Sequence, residues 1–119
     1  MNKKQKGDKY EEQAAELLKN NSYKILERNY KNKQGEIDII AMKGRQIIFI
    51  EVKYRATSKF GYGIEAVDRK KLLRIYRSAM TYLAEKGWED MECRFDCVSY
   101  LGDSFKWDKN IVWGDEIGF

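Results

Sequence analysis

The hydrophobic residues of this chain follow two spacings, which predict helices in some stretches and strands in others. Residues 8–21 carry apolar residues at helical spacing, from Ala14 to Leu18, among glutamates that favour helix. Residues 65–87 repeat the helical spacing over a longer stretch and end at Gly87, a residue that commonly terminates helices. Elsewhere the apolar residues gather into short β-branched runs, which are typical of strands.

Five of these runs have strand character, and with the two helices they predict the order α-β-β-β-α-β, followed by a short edge strand. They comprise residues 23–30, the two runs on either side of Lys43–Gln46, residues 93–101 and residues 104–112. A polar, glycine-containing loop is predicted at residues 56–63. We expect one α/β domain over residues 1–119.

The region Gly35–Lys53 predicts a β-hairpin together with its register. Two apolar runs flank the polar break Lys43–Gln46, and a two-residue turn inside that break would make its first and last residues partners. Counting outward from the turn places Asp38 directly across from Glu51. Lys53 lies two residues beyond Glu51 and therefore on the same face. Two acids and a lysine are thus predicted to converge at one end of the hairpin.

That convergence calls for a compensating charge, because like charges directly opposite each other destabilise a sheet. The run Ile47–Ile50 has no polar alternation, which indicates that both faces of its strand are covered and that the acids lie in apolar surroundings. A bound divalent cation such as Mg²⁺ would remove the conflict, since it prefers carboxylate oxygens. The simpler alternative is that Lys53 pairs with Glu51 at a strand end while Asp38 is solvated.

A further acid, Glu11, lies on the stripe of the first helix that carries Ala14 and Leu18. Its neighbour Glu12 lies on a charged stripe that faces solvent. Glu11 is therefore the acid that the apolar stripe would bring inward, towards the other two acids. The alternative is an ordinary glutamate in the first helical turn, where its charge favours the helix dipole.

The composition gives the chain a positive net charge. The 119 residues carry a formal net charge of +4 and have a sequence pI near 9.0, which suits a polyanionic partner. Hydrophobic residues make up 43% of the chain, enough for a folded domain, and no apolar run reaches the length that spans a membrane. Because the first residues lack the apolar run of a signal peptide, we expect a cytoplasmic protein.

Residue types that are absent or rare in the chain exclude some kinds of catalytic and metal site. The chain has no histidine, which excludes histidine-based acid–base catalysis and zinc sites with histidine ligands. Its two cysteines, Cys93 and Cys97, lie in one predicted strand. At ~3.3 Å per residue they would be roughly 13 Å apart, too far for a disulfide. We therefore predict that both are reduced and lie in or near the core.

Basic residues gather around the predicted acids and along the second helix, off its apolar stripe. They suit contacts with phosphates that position a nucleic acid without recognising its sequence. The alternative for the helix face is simple solvation. The residues predicted to contact nucleic acid are Arg28, Arg55, Lys59, Lys70, Arg74 and Arg77. Tyr62, Trp107 and Trp113 would stack on unpaired bases if exposed, and the alternative for each tryptophan is packing.

Together, Asp38, Glu51-Val52-Lys53 and the upstream Glu11 resemble the motif of the PD-(D/E)xK nucleases. More closely, the chain resembles the YraN family of small bacterial proteins over nearly its whole length. The set of residues, in this order, is specific, whereas the Glu-Val-Lys signature alone is weak. The departure is Tyr10, where the family often has glycine. The resemblance rests on Glu11-x-x-Ala14, Tyr23-x-Ile25-Leu26-x-Arg28-Asn29-Tyr30, Gly35–Ala41, Phe49–Arg55, Phe60-Gly61, Val67 with Lys70, and Arg94-Phe95-Asp96.

This resemblance implies a restriction-endonuclease-like fold, similar to that of archaeal Holliday-junction resolvases, with a mixed central sheet flanked by helices. It also implies that Asp38 and Glu51 bind Mg²⁺ or Mn²⁺, that Glu11 is an additional ligand, and that Lys53 is the catalytic lysine. The implied activity is a metal-dependent endonuclease acting on DNA, including branched or structured DNA. Junction cleavage would favour a homodimer, because two symmetric cuts need two sites.

Two classes of function remain open at this point. One is the nuclease, and the other is a nucleic-acid-binding or scaffold protein on the same fold with little or no turnover. The intact set of two acids and a lysine favours the nuclease, because a pure binder gains little from carboxylates near phosphates. The fold alone does not decide between them.

Overall fold

The computed structural model of the protein describes residues 2–55 and 69–111. The elements within these residues follow the predicted order. The loop predicted at residues 56–63 and the helix start predicted at residue 65 lie outside the described residues. In chain order the elements are α1 (Lys3–Asn20), β1 (Lys24–Asn32), β2 (Gly35–Lys43), β3 (Gln46–Arg55), α2 (Arg69–Lys86), β4 (Glu92–Leu101) and β5 (Ser104–Asp108).

The strands form a mixed sheet with the spatial order β1-β2-β3-β4-β5. Neighbouring strands are antiparallel except for β3 and β4, which are parallel. A parallel pair needs a long crossover, and α2 lies between these two strands in the chain. The predicted α/β architecture, with helices flanking a mixed sheet, is confirmed.

Each helix packs on its own face of the sheet. On the α1 side, Ala14 and Leu18 belong to one buried cluster with Ile48 and Ile50 of β3, while α2 packs against the other face. Since side chains alternate along a strand, Glu51 and Lys53 continue the face of β3 that α2 covers. The buried residues of the α2 cluster are Ile37, Ile40, Ile47, Phe49, Ile75, Ala79, Tyr82, Leu83, Phe95, Cys97 and Ile111.

The first helix begins earlier than predicted, at Lys3 rather than residue 8. Asn2 caps it, because the Asn2 side chain accepts a hydrogen bond from the Gln5 amide at 2.8 Å and the Gln5 side chain accepts one from the Asn2 amide at 2.9 Å. This reciprocal capping box satisfies two amides that would otherwise lack partners. The predicted helix end near Asn20 is confirmed.

The second helix ends at the predicted glycine. Gly87 has a φ of 73°, a left-handed conformation that glycine adopts at little cost. The Trp88 amide donates to the Leu83 carbonyl at 2.8 Å and the Gly87 amide to the Ala84 carbonyl at 3.2 Å. These two bonds form a Schellman motif, which satisfies the last carbonyls of α2.

The hairpin between β2 and β3 has the predicted turn but only part of the predicted pairing. Gly44 has a φ of 61°, which the turn requires, and Lys43 pairs with Gln46. The register is confirmed from that pair to Ile39–Ile50. The ladder ends there, so the prediction that Asp38 pairs directly with Glu51 is wrong. The two strands separate one residue before that pair.

Two further expectations can be compared with the described residues. Cys93 is half-buried, Cys97 is buried and both are free, which confirms the prediction of two reduced cysteines. Burial raises the pKa of each thiol, so both remain protonated at neutral pH. No helix in the described part of the chain is long and apolar enough to cross a membrane.

Candidate active site

The candidate site lies where β2 and β3 separate. Beyond the Ile39–Ile50 pair, the carboxylate of Asp38 replaces the backbone ladder, and its Oδ2 accepts a hydrogen bond from the Val52 amide at 2.8 Å. On the other side of β2, Asn29 has a left-handed φ of 52°, so β1 is also irregular at this level. The Val52 amide keeps a partner while the two strands open a cleft.

Four predicted site residues line one pocket in this cleft. Glu11 comes from α1, Asp38 from β2, and Glu51 and Lys53 from β3, around a volume of about 240 Å³. Lys71 of α2 lines the same pocket. The two helices lie on opposite faces of the sheet, and they reach a common pocket where the strands are apart. The four residues therefore meet, although Asp38 and Glu51 do not pair as predicted.

Its surroundings favour the protonated form of Asp38. Burial raises the pKa of this carboxyl to about 7, and the nearby charges of Glu51 and Glu11 act in the same direction. The hydrogen bond from the Val52 amide and the charge of Lys53 oppose them only in part. A carboxyl that titrates near neutral pH is typical of functional sites.

Glu51 is the most buried acid of the pocket, with 8% of its surface exposed. Its Oε1 lies 2.8 Å from the Lys71 Nζ and 3.1 Å from the Lys53 Nζ. A buried carboxylate needs such partners, because an unpaired charge in the interior is costly. The simpler alternative from the sequence is therefore half correct. Lys53 does pair with Glu51, but Asp38 is half-buried rather than solvated.

The two lysines respond differently to this environment. Burial lowers the pKa of Lys53, and although Glu51 opposes this, the neighbouring ammonium group of Lys71 lowers it further. Burial also acts to lower the pKa of Lys71, but its hydrogen bonds to Glu51 and Lys53 outweigh burial and raise the pKa. Lys71 is therefore the more firmly protonated of the two.

Glu11 reaches the pocket from α1 with one oxygen that lacks a partner. Its Oε1 is inaccessible to solvent and accepts no hydrogen bond from the described residues. Burial raises the pKa of Glu11, and the charges of Asp8 and Glu51 add to the effect. Glu12 is exposed and its Oε2 lies 2.7 Å from the Arg28 Nη1. The predicted orientations of Glu11 and Glu12 are both confirmed.

The donor set of the pocket suits a hard divalent cation. Glu11, Asp38 and Glu51 offer carboxylate oxygens, which Mg²⁺ and Mn²⁺ prefer, and the buried oxygen of Glu11 has no other partner. Among the described residues, no three acids or cysteines are already arranged as a metal-binding group. The chemistry of the residues fits such an ion, whereas Glu51 is already engaged by two lysines.

Lys71 is the cationic partner of Glu51 that the sequence analysis missed. It lies on the stripe of α2 that carries the buried residues Ile75 and Ser78, at i+4 and i+7. The same spacing that predicted an inward Glu11 would have indicated an inward Lys71. The prediction chose the adjacent Lys70 instead, and Lys70 is exposed.

Three of the basic residues predicted to contact nucleic acid form one exposed row on α2. Lys70, Arg74 and Arg77 follow one another at helical spacing, and all three are exposed. Arg74 and Lys71 also line a second pocket of about 410 Å³ next to Glu36. The basic row of Lys70, Arg74 and Arg77 therefore begins beside the pocket lined by Glu11, Asp38 and Glu51, which we call the acid pocket.

The other predicted basic residues lie elsewhere. Arg28 is exposed but forms an ion pair with Glu12, so part of its charge is already compensated. Lys59 lies outside the described residues, and so does the side chain of Arg55. For these three residues a role in binding nucleic acid stays a prediction.

Trp107 has the packing role that the sequence left open. Its indole nitrogen donates to the Asp96 Oδ2 at 2.9 Å, and its ring centroid lies 5.4 Å from that of Tyr23. These contacts fix the ring against β4 and α1's side of the sheet. The other two aromatic residues named as stacking candidates, Tyr62 and Trp113, lie outside the described residues.

Comparison with known proteins gives consistent matches over most of the chain. Residues 10–100 match the model of a family described as uncharacterised protein family UPF0102. A UPF0102 protein of Fusobacterium nucleatum is 60% identical over 119 residues, which cover the whole of both chains. One of Moorella thermoacetica is 46% identical over 83% of this chain and 82% of its own. One of Sulfurihydrogenibium is 41% identical over 87% and 90%, respectively.

Proposed function

The chain belongs to the UPF0102 family, the family that its YraN-like residues predicted, and from this premise we propose that it is a metal-dependent endonuclease that hydrolyses phosphodiester bonds in DNA. The observation that carries the proposal is the pocket in which Glu11, Asp38, Glu51 and Lys53 meet. Phosphodiester hydrolysis requires ligands for a cation and a positive group that counters the charge of the transition state. The pocket offers both kinds of side chain within one cleft.

Each of these side chains has a task in the proposed reaction. Asp38, Glu51 and Glu11 would hold Mg²⁺ or Mn²⁺, which when bound supplies Lewis-acid stabilisation and acidifies a coordinated water. Lys53 would orient the attacking water and stabilise the negative charge that develops on the phosphate. Since the pKa of Asp38 is raised to about 7, this carboxyl would release a proton when it becomes a ligand.

The charge distribution supports DNA as the substrate. The chain carries a net charge of +4, and the exposed row of Lys70, Arg74 and Arg77 begins beside the acid pocket. Such a row contacts phosphates without selecting a base sequence, which suits an enzyme that recognises DNA by shape. Branched DNA is one such substrate, and its symmetric cleavage would require a two-fold dimer.

One observation favours a second candidate function, a nucleic-acid-binding or scaffold protein with little or no turnover. Lys53 and Lys71 already neutralise Glu51, which leaves this acid with reduced affinity for a cation. Such a protein would keep the basic row on α2 and use the pocket only for stability. The two candidates differ in whether the acids are needed for anything besides folding.

Cleavage assays on linear, flapped and four-way DNA, with Mg²⁺ or Mn²⁺, test the proposal. Asp38→Asn, Glu51→Gln and Lys53→Ala should each lower the cleavage rate by at least about 10²–10³-fold, because each removes an electrostatic contribution of roughly 3–4 kcal/mol. Glu12→Gln is the matched control, since this carboxylate lies one residue from Glu11 but faces outward. It should cleave within about twofold of the wild type.

Two outcomes would reject the nuclease. Wild-type rates in all three variants would show that the acids and the lysine take no part in the reaction. An inactive wild type that still binds DNA through Lys70, Arg74 and Arg77 would favour the binding protein instead. Melting curves of every variant, measured alongside, separate lost activity from lost folding.

A further inference from the structure

Lys71 and Lys70 are adjacent basic residues of α2 with different surroundings. Lys70 is exposed to solvent, but Lys71 turns towards the pocket and contacts the Glu51 Oε1 at 2.8 Å. The two adjacent lysines therefore lie in different surroundings, one in solvent and one in contact with a buried carboxylate.

Glu51 has two cationic partners for one oxygen. The ammonium groups of Lys53 and Lys71 both lie within 3.1 Å of Oε1. A divalent cation bound to the same carboxylate would stand a few ångströms from both groups and repel them. The carboxylate therefore cannot serve all three cations equally well.

Of the two lysines, Lys71 is the one that can move away from Glu51. Its side chain is 36% exposed, compared with 16% for Lys53. Lys53 projects from the same strand as Glu51, on the same face, whereas Lys71 reaches Glu51 from a different element, α2. Lys71 also lines both the acid pocket and the second pocket that contains Arg74.

We propose that Lys71 and a divalent cation compete for Glu51, and that the displaced ammonium group of Lys71 contacts a phosphate of the nucleic acid beside Arg74. This inference rests on the proposed function and adds to it a named competitor and its destination. In the second pocket the ammonium group would extend the exposed row of Lys70, Arg74 and Arg77 towards the acids. Cation binding and phosphate binding are then coupled through one side chain.

The coupling predicts effects of opposite sign when Lys71 loses its charge. Removing the competitor should tighten metal binding, because Glu51 then has one cation fewer. Removing the phosphate contact should slow cleavage even when the metal site is saturated. A merely structural role for Lys71 would instead weaken both properties together.

Calorimetric titration of Mn²⁺ into the full chain tests the first effect without any need for activity. Lys71→Met should bind Mn²⁺ about tenfold more tightly than the wild type. Its matched control for Mn²⁺ binding alone, Lys70→Met, removes the adjacent exposed lysine and should bind Mn²⁺ within about twofold of the wild type. In the Glu51→Gln background the gain from Lys71→Met should disappear. At saturating Mn²⁺, Lys71→Met should cleave DNA about tenfold more slowly.

The outcomes separate this inference from the proposed function. If the wild type binds Mn²⁺ and Lys71→Met binds it no more tightly, competition is rejected while the nuclease stands. If the wild type binds no Mn²⁺, the metal-dependent nuclease and the competition are rejected together. Should Lys71→Met fail to fold, Lys71→Gln and Lys71→Arg decide by the same criterion. The glutamine should tighten Mn²⁺ binding, and the arginine, which keeps the charge, should not.

Discussion

Two buried carboxylates on neighbouring strands are satisfied in opposite ways. Asp96 of β4 is 1% exposed, and its oxygens accept hydrogen bonds from the Arg94 guanidinium, the Trp107 indole and the Asn110 amide, all at 2.8–2.9 Å. Asp96 pairs with Ile50 in the sheet, so it lies beside Glu51 but one residue out of step. Glu51 has two lysines on one oxygen, and three further acids line its pocket.

The difference lies in the donors rather than in burial. The guanidinium of Arg94 binds both oxygens of Asp96 in a fixed planar geometry, and the indole and the backbone amide are equally rigid. The donors to Glu51 are ammonium groups on flexible stems, one of them over a third exposed. A buried acid held by rigid donors stabilises the fold, whereas one held by movable donors can exchange them for a ligand.

The largest expected effect is on stability, and it contrasts Asp96 with Asp38. Asp96→Ala should lower the free energy of unfolding by about 3–5 kcal/mol, because it leaves the half-buried charge of Arg94 without its carboxylate. Asp38→Asn should leave it unchanged or raise it, since the variant removes repulsion with Glu51 and its amide oxygen still accepts from Val52. Urea unfolding in EDTA measures both.

If Asp96→Ala and Asp38→Asn lowered the free energy of unfolding by comparable amounts, Asp38 would be a structural hydrogen-bond acceptor like Asp96. Asp38→Ala sharpens the test, because it removes the acceptor of the Val52 amide as well as the charge. It should cost about 1–3 kcal/mol relative to Asp38→Asn, the penalty for a buried amide without a partner.

The next effect concerns pH. The pKa of Asp38 is about 7 in the folded chain and near its ordinary value of about 4 in the unfolded chain, so the folded state binds more protons between these values. The free energy of unfolding should therefore fall as pH rises from 4 to 7, by about 2–4 kcal/mol from this group alone. Unfolding curves at several pH values in EDTA, for the wild type and Asp38→Asn, isolate the contribution.

In Asp38→Asn this contribution should be missing, so its stability should exceed that of the wild type increasingly towards pH 7. Parallel stability profiles for the two proteins would show that Asp38 is ionised throughout. Asp96→Asn does not serve as the control here, because it breaks a structural network. Glu12→Gln serves, since it changes an exposed carboxylate on α1.

The smallest expected effect separates two adjacent glutamates of α1. Glu11→Gln should weaken Mn²⁺ binding or cleavage by more than about tenfold, near 1.4 kcal/mol, because Glu11 places a buried oxygen in the pocket. Glu12→Gln should stay within roughly 0.5 kcal/mol, as an ordinary surface change does. If Glu12→Gln loses activity and Glu11→Gln does not, the third ligand is misassigned.

Local periodicity explains why much of the candidate site could be predicted. The turn at Gly44 fixes the register of the hairpin, and helical spacing fixes the direction of Glu11. Both depend on residues close in sequence. They predict that Asp38, Glu51 and Lys53 lie at one end of the hairpin and that Glu11 points inward, whereas the common pocket of the four depends on how α1 packs on the sheet.

What the sequence analysis missed depends on contacts between distant elements, with two exceptions. The ladder between β2 and β3 ends where the Asp38 side chain accepts the hydrogen bond of the Val52 amide, and strand patterns do not encode this contact. Lys71 and the capping box of Asn2 could have been found, since helical spacing and the Asn-x-x-Gln pattern indicate them. The network of Asp96 also joins Trp107 and Asn110, and these contacts have no local signal, although Arg94 lies only two residues from Asp96.

Because the Val52 amide donates its hydrogen bond to Asp38, the hydrogen exchange of this one backbone amide reports on the pocket. An amide within a regular ladder exchanges with deuterium only when the strands open, as expected for Ile48 and Ile50 in the middle of β3. The Val52 amide is protected by a side chain instead, so its exchange depends on where the Asp38 carboxylate points and whether it is charged. Deuterium exchange at this single amide therefore reports on the pocket while the rest of the sheet stays closed.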